Sequence, residues 1–328
     1  MKVLFLQSRE YFEELGVDLS NCDADFTLFV SFNLRSKLKR YDLIVSCIEH
    51  DLGARRVVNF GNSLGIPTVF LMDGVFDLSN SVSNPLLKRL KVVQFKPFIY
   101  SNIFLLGDRF ANYINNKELD VKVFSYLPKR AALVLQPREK VADVLITTAI
   151  TPYFDENEKI KLTRWITFLA TTLEKHNISI KLRVFDETLL ENEYLQKINN
   201  TKESLSDAVS SVSCVMCTPS TVIHSLSVYG FPNILLNFRS DEIFYESGYE
   251  LSALNNVKNA IDYIVNSLSC KANLNKKVDY GVNLDSFEYN KSHYRAKIPY
   301  LYFSFSTLIR LLYKKLPNNI KKILKKSF

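Results

Sequence analysis

The densest run of side chains able to do chemistry is Cys217-Thr218-Pro219-Ser220-Thr221-Val222-Ile223-His224-Ser225-Leu226. Hydroxyls at Thr218, Ser220 and Thr221 stand where an apolar strand gives way to a helix. Short donors, free amide N–H groups and the positive helix end therefore converge on one point, which is good chemistry for a phosphate or diphosphate. Ser220 or Thr221 would, taken alone, serve as a plain helix cap; the Gly-x-Pro strand that follows tips the reading toward phosphate. His224, one turn into the helix, reads as a partly buried, uncharged histidine. His50 follows another strand end and is a weaker cleft candidate. None of the nine glycines forms G-x-x-x-x-G-K-[ST] or G-x-G-x-x-G, which counts against a kinase, a P-loop ATPase and an ordinary NAD dehydrogenase.

The elements that position this run repeat elsewhere in the chain. An apolar strand, a polar loop opening a helix, Gly-x-Pro and a second apolar strand run from Tyr41 to Leu71, with Gly65-Ile66-Pro67, and again from Val212 to Leu236, with Gly230-Phe231-Pro232. Each copy reads as a βαβ unit, its glycine supplying a left-handed helix cap and its proline starting an extended strand. Two such units predict two α/β domains with a cleft between them, and parallel sheets bind ligands at the carboxyl ends of their strands. Further strands are expected at 3–6, 26–30, 102–106, 121–124, 143–148 and 178–185. Helices are expected at 51–64, 109–115, 156–175, 203–210 and 252–268. Ile160, Trp165, Phe168, Leu169 and Leu173 have core-facing spacing in the long helix. A Pro- and charge-containing stretch over 128–140 suits a crossing between domains. The expected division is 1–135, 136–285 and a tail over 286–328.

At 328 residues and 47% hydrophobic, the chain can bury two ordinary cores without disulfides. Its five cysteines lie mostly in apolar runs and read as buried hydrophobes in a reducing compartment. Cys214-Val215-Met216-Cys217 has no second pair at zinc-ligand distance. No secretory signal is read at the start, because Val3-Leu4-Phe5-Leu6 is only a short apolar run. The formal charge of +8 is accounted for by eight basic residues between Lys297 and Phe328, a stretch without Asp or Glu. The body is thus not a basic nucleic-acid binder, and no nucleic-acid partner is expected. The stretch 298–309 is aromatic and apolar but too short to span a bilayer, which takes about 20 residues. Ile320, Ile323 and Leu324 share a helical face flanked by Lys321, Lys322, Lys325 and Lys326, a pattern that suits a helix lying on an anionic membrane surface. Packing of that helix onto the body is the competing arrangement.

Thr218-Pro219-Ser220-Thr221 followed by Gly230-Phe231-Pro232 resembles the nucleotide-sugar donor site of GT-B glycosyltransferases. Gly65-Ile66-Pro67-Thr68-Val69-Phe70-Leu71-Met72-Asp73-Gly74 is similar to the acceptor-side strand and loop of bacterial surface-polysaccharide transferases, sialyltransferases among them. The resemblance implies a GT-B-like fold, with two Rossmann-like α/β domains facing across a cleft and the basic amphipathic C-terminal tail appended. It implies Asp73 as general base, with Gly74 keeping the acceptor approach open, and Ser220-Thr221 on the donor side. The His-Pro motif of those sialyltransferases is absent, and Lys181-Leu182-Arg183-Val184-Phe185 stands about where it would fall, which counts against sialic acid as donor. Arg183 could fork onto phosphate. Thr147 and Thr148 could line the cleft, and Glu242 and Glu246 fall where such enzymes place a carboxylate against sugar or ribose. Each has a plain alternative: a turn residue for Asp73, an ion-paired arginine for Arg183, an exposed helix face for the glutamates.

The expected activity is glycosyl transfer from a nucleotide-sugar, a substrate rather than a cofactor, to a lipid-linked or oligosaccharide acceptor of a bacterial surface glycan, lipopolysaccharide or capsule. The enzyme would be cytoplasmic and peripheral on the inner face of the membrane. No metal and no obligatory cofactor are expected. A noncatalytic α/β binding or assembly protein and a nucleotide-sugar epimerase are the alternatives; the tail argues against the latter.

Overall fold

In the computed structural model the described residues are 1–26, 34–49, 51–83, 88, 95, 98–115, 120–149, 154–268 and 278–291. His50, Cys270 and the amphipathic stretch of the tail lie outside them.

Two parallel sheets carry the chain. In the first, strands β1 (Lys2–Phe5), β3 (Asp23–Phe26), β4 (Leu43–Ser46), β5 (Thr68–Leu71), β6 (Asn102–Leu105) and β7 (Lys122–Ser125) lie in the order β3-β1-β4-β5-β6-β7. In the second, β8 (Val144–Thr147), β9 (Ile180–Arg183), β10 (Cys214–Cys217), β11 (Asn233–Leu236) and β12 (Tyr249–Leu251) lie in the order β12-β11-β10-β8-β9. Numbered within its own sheet, each begins 2-1-3-4-5, the doubly wound order in which the winding reverses between the first and third strands. The central strands are buried on both faces, as parallel sheets covered by helices require. The two-sheet α/β architecture expected from the repeated grammar is the one present.

The two copies of that grammar are built by the same helix ending. After helix Leu52–Ser63, Gly65 adopts φ +70°, its N–H donates to Asn62 O at 3.0 Å and the Ile66 N–H donates to Gly61 O at 3.0 Å. After helix Thr221–Val228, Gly230 adopts φ +65°, its N–H donates to Ser227 O at 2.9 Å and the Phe231 N–H donates to Leu226 O at 2.9 Å. Both are Schellman closures, which satisfy carbonyls the helix leaves open. The proline after each then enters β5 or β11.

Some expectations are corrected. In helix Glu156–Lys175 the buried stripe runs through Leu162, Trp165, Ile166, Leu169, Ala170 and Leu173, while Ile160 is 52% and Phe168 41% exposed. Residue 168 lies about 100° around the helix from residue 169, outside a stripe that repeats every three or four positions. Of the strand expected at 26–30, Phe26 is the last residue of strand Asp23–Phe26, and 27–30 lie outside the described residues. Cys214 and Cys217 are both buried on β10, but three residues apart on a strand they face opposite cores, Cys214 with Met216 and Cys217 with Val215. Burial pushes both thiols up to about 12, so they are inert fillers.

A small separate pairing leaves no trace in the sequence. β2 (Val17–Asp18) runs parallel to β13 (Val282–Asn283) as a separate two-stranded sheet, so the chain returns to pack beside the first sheet after completing the second. The Gly281 N–H donates to Leu127 O at 2.8 Å and the Asn290 N–H to Asn102 Oδ1 at 2.8 Å.

Candidate active site between the two sheets

The carboxyl ends of β5 and β10 meet. After β5 the chain continues through Met72 and Asp73 into Gly74 and Val75, and the Val75 N–H donates to Thr221 Oγ1 at 3.2 Å. A Cβ on Gly74 would stand 2.8 Å from that oxygen, so only glycine lets the first loop approach the start of helix Thr221–Val228 this closely. Asp73 and Ser220-Thr221, 147 residues apart, are thereby neighbours across one junction.

Asp73 is held from two sides. Tyr11, on helix Arg9–Leu15, donates its hydroxyl to Asp73 Oδ2 at 2.7 Å. Arg130, from the turn after β7, forms an ion pair with the same oxygen at 3.0 Å and donates Nε to the Asp73 carbonyl at 2.8 Å. The Arg130 guanidinium also lies over the Tyr11 ring, 5.6 Å from its centre. Burial, with the Asp73 charge and hydrogen bond second, raises the Tyr11 pKa and keeps that phenol protonated as a donor. Tyr126 ties down the preceding residue by donating to the Met72 carbonyl. Neither Tyr11 nor Arg130 is marked in the sequence, since they lie 62 and 57 residues from Asp73.

The donor-side residues divide by what their hydroxyls already do. Ser220 is the cap of its helix, accepting from the Val222 N–H at 3.3 Å. Thr221 Oγ1 faces the other sheet. Thr147, Thr148 and Thr218 are at most 4% exposed and knit the strand ends together. Thr147 donates to Arg183 O at 2.9 Å, Thr148 accepts from the Phe185 N–H at 3.2 Å, and Thr218 accepts from the Ala149 N–H at 3.1 Å. Arg183 ends β9, two strands from β10 and so about 10 Å away along the sheet. Its Nε donates to Glu203 O at 3.3 Å and its guanidinium lies over Phe185. Burial lowers the Arg183 pKa. Glu242 is exposed. Glu246 pairs at 2.9 Å with Arg109 of the first sheet's helix Asp108–Asn115.

Arg239, after β11, is the cation at this junction that the sequence reading missed. It pairs with Asp77 of the first unit at 2.6 Å, with Asp241 at 3.2 Å and with Glu158 at 3.8 Å, and its side chain is 5% exposed. Beside it Tyr245 is buried with its hydroxyl unpartnered among the described residues, and burial followed by the Asp77 charge holds its pKa well above the ordinary value. Phe244 crosses the junction into rings of the first unit, with centroid distances of 5.4 Å to Phe76, 5.5 Å to Phe110 and 4.8 Å to Tyr113. His224 is 8% exposed, faces Gly107 at the end of β6, and is held below its ordinary pKa by burial.

No family model matches the chain, and no curated relative matches it. Among solved structures it is similar to UDP-GlcNAc 2-epimerase from Neisseria meningitidis bound to UDP-GlcNAc, with 10% identity and a TM-score of 0.47 over 84% of this chain and 95% of that one. It is also similar to the spinosyn forosaminyltransferase SpnP, with 12% identity and a TM-score of 0.41 over 81% and 92%. MurG from Acinetobacter baumannii gives 10% identity and a TM-score of 0.40 over 81% and 82%. At such identities the likeness is one of architecture.

Proposed function

We propose that the protein is a glycosyltransferase, moving a sugar from a nucleotide-sugar held by the second sheet to an acceptor held by the first. The observation that carries this is the junction itself, where the Asp73-Gly74-Val75 loop touches Thr221 beside the Ser220 cap. In the proposed step an acceptor hydroxyl attacks the anomeric carbon, its proton passes to Asp73, and the anomeric C–O bond to phosphate breaks with the electron pair leaving on the nucleotide. The contacts of the Asp73 side chain to Tyr11 and Arg130 both fall on Oδ2, which supports Oδ1 as the oxygen that would take the proton. The start of helix Thr221–Val228 would stabilise the departing phosphate through its N–H groups and dipole. Thr147, Thr148 and Thr218 then act as scaffold for that helix start rather than as ligands, and Arg183 and Glu242 as outer contacts of the donor. Glu246 has Oε1 engaged by Arg109.

The finer reading is a lipid-linked or oligosaccharide acceptor of a bacterial surface glycan, with the basic tail holding the enzyme on the inner face of the cell membrane. No described helix is long and apolar enough to cross a membrane. The direct test is a thermal-shift panel of CMP, CDP, UDP and GDP compounds, followed by incubation of any binding nucleotide-sugar with and without acceptor. A ligand at 100 times its Kd stabilises by about 2.7 kcal/mol, a readily measured shift. Release of nucleotide that requires acceptor and is abolished in Asp73→Asn supports the transferase. Interconversion of the sugar without acceptor would instead identify an epimerase, and no nucleotide binding at all would leave a noncatalytic binding protein.

A further inference from the structure

Beside the ends of β4 and β5 the first unit forms a partly open cavity of about 170 Å³. At a water's share of roughly 30 Å³ this is space for about five or six waters, which suits one sugar ring better than a nucleotide. Its polar wall consists of Glu49, Asp73, Asp77 and Asn80, and Phe70 and Phe76 supply an apolar face. Among the described lining residues there is no Lys, Arg or His.

Glu49 is the informative member. It is 1% exposed, and its Oε1 is paired with Arg55, yet Oε2 has no hydrogen-bond partner among the described residues. Asn80 Oδ1 is likewise buried and unpartnered, while the Asn80 backbone N–H donates to Asp77 Oδ1 at 3.0 Å. A buried acceptor left unpaired is costly, and a carboxylate oxygen more so than a neutral one. Two such acceptors in one cavity call for donors from outside the protein.

The charge state sharpens the class of ligand. Each carboxylate of the wall is paired with one arginine that does not itself line the cavity: Glu49 with Arg55, Asp73 with Arg130 and Asp77 with Arg239. Among the described residues the wall therefore offers hydrogen-bond acceptors and no cation, so O–H and N–H donors are matched there while phosphate and carboxylate find no counter-charge. The apolar side that Phe70 and Phe76 give the cavity suits the C–H surface of a pyranose.

We propose that this cavity is the acceptor subsite and that it selects a neutral or amino sugar residue, with Glu49 Oε2 and Asn80 Oδ1 accepting its hydroxyl or ammonium protons and acidic sugars excluded. The name of acceptor subsite rests on the transferase reading; the sugar selectivity is testable without it. Saturation-transfer NMR on the full chain, with no nucleotide present, is run with methyl glucoside, methyl galactoside, glucosamine and glucuronate. Signals from one or more of the first three, with none from glucuronate, are expected. Asn80→Leu, which leaves the Glu49–Arg55 pair intact, should reduce those signals at least fivefold, and Glu49→Gln should do the same if it folds. Equal binding of glucuronate, unaltered binding in Asn80→Leu, or no binding of any of the four overturns the proposal. Sugar binding by a protein that binds no nucleotide would sustain the cavity's selectivity while removing the transferase reading.

Discussion

His224 shows how burial at a junction sets the behaviour of one side chain. Burial holds its pKa below the ordinary 6.5, with the nearby charges of Glu246 and Asp108 opposing, and its Nδ1 has no partner among the described residues. Between the unfolded value and the depressed folded value, the unfolded chain binds a proton that the native protein refuses. The contribution to stability is therefore full above about pH 6.5 and is lost as pH falls through the folded value. Unfolding by denaturant at a series of pH values should show wild-type stability falling faster than His224→Gln between pH 7 and 5; parallel curves would refute this assignment. The same contrast between type and surroundings governs the hydroxyls. Thr147, Thr148, Thr218, Ser220 and Thr221 look alike in the sequence, yet the first three are buried and spent on strand ends. Only the fold decides which of them is left at the junction between the sheets.

At the scale of elements the repeated helix ending is the most legible feature, because it is decided within six residues. Gly230 sits at φ +65° with open space where a Cβ would go. Gly230→Ala should cost about 1–2 kcal/mol, the left-handed backbone penalty alone, with no clash added. A drop in melting temperature matching that cost is expected, and an unchanged melting temperature would show that the closure is not under conformational demand. Strand positions were legible for the same local reason, since runs of Val, Ile, Leu and Phe buried on both faces need no distant partner to be recognised. The pairing of β2 with β13 was not legible, because two-residue strands separated by most of the chain leave no periodic trace. The exposure of Ile160 and Phe168 is a related case: apolar type suggested the core, and the phase of the stripe overruled it.

For the whole molecule the relation of the two units rests on contacts that include the Phe244 insertion and the Arg239–Asp77 pair. Replacing Arg239 by Met leaves Asp77, Asp241 and Glu158 largely buried without their shared cation, and breaking such a pair costs about 3–5 kcal/mol. Chemical denaturation should show a loss of that size, and a loss below about 1 kcal/mol would mean that solvent already screens the cluster. Deleting residues 318–328 should move the protein from membrane to supernatant fractions; unchanged partitioning would remove the tail from the functional reading. What the sequence by itself determined was local: two βαβ grammars, the glycines that close their helices, and the loops that hold Asp73 and Ser220. Short-range backbone sterics and hydrogen bonds fix those features wherever the segments end up. Tertiary structure alone decided that Arg130 and Tyr11 clamp Asp73, that Arg239 reaches Asp77 across 162 residues, and that Glu49 closes a cavity with one oxygen unpaired. Partners so distant along the chain meet because packed sheets bring them together, and no spacing rule records that.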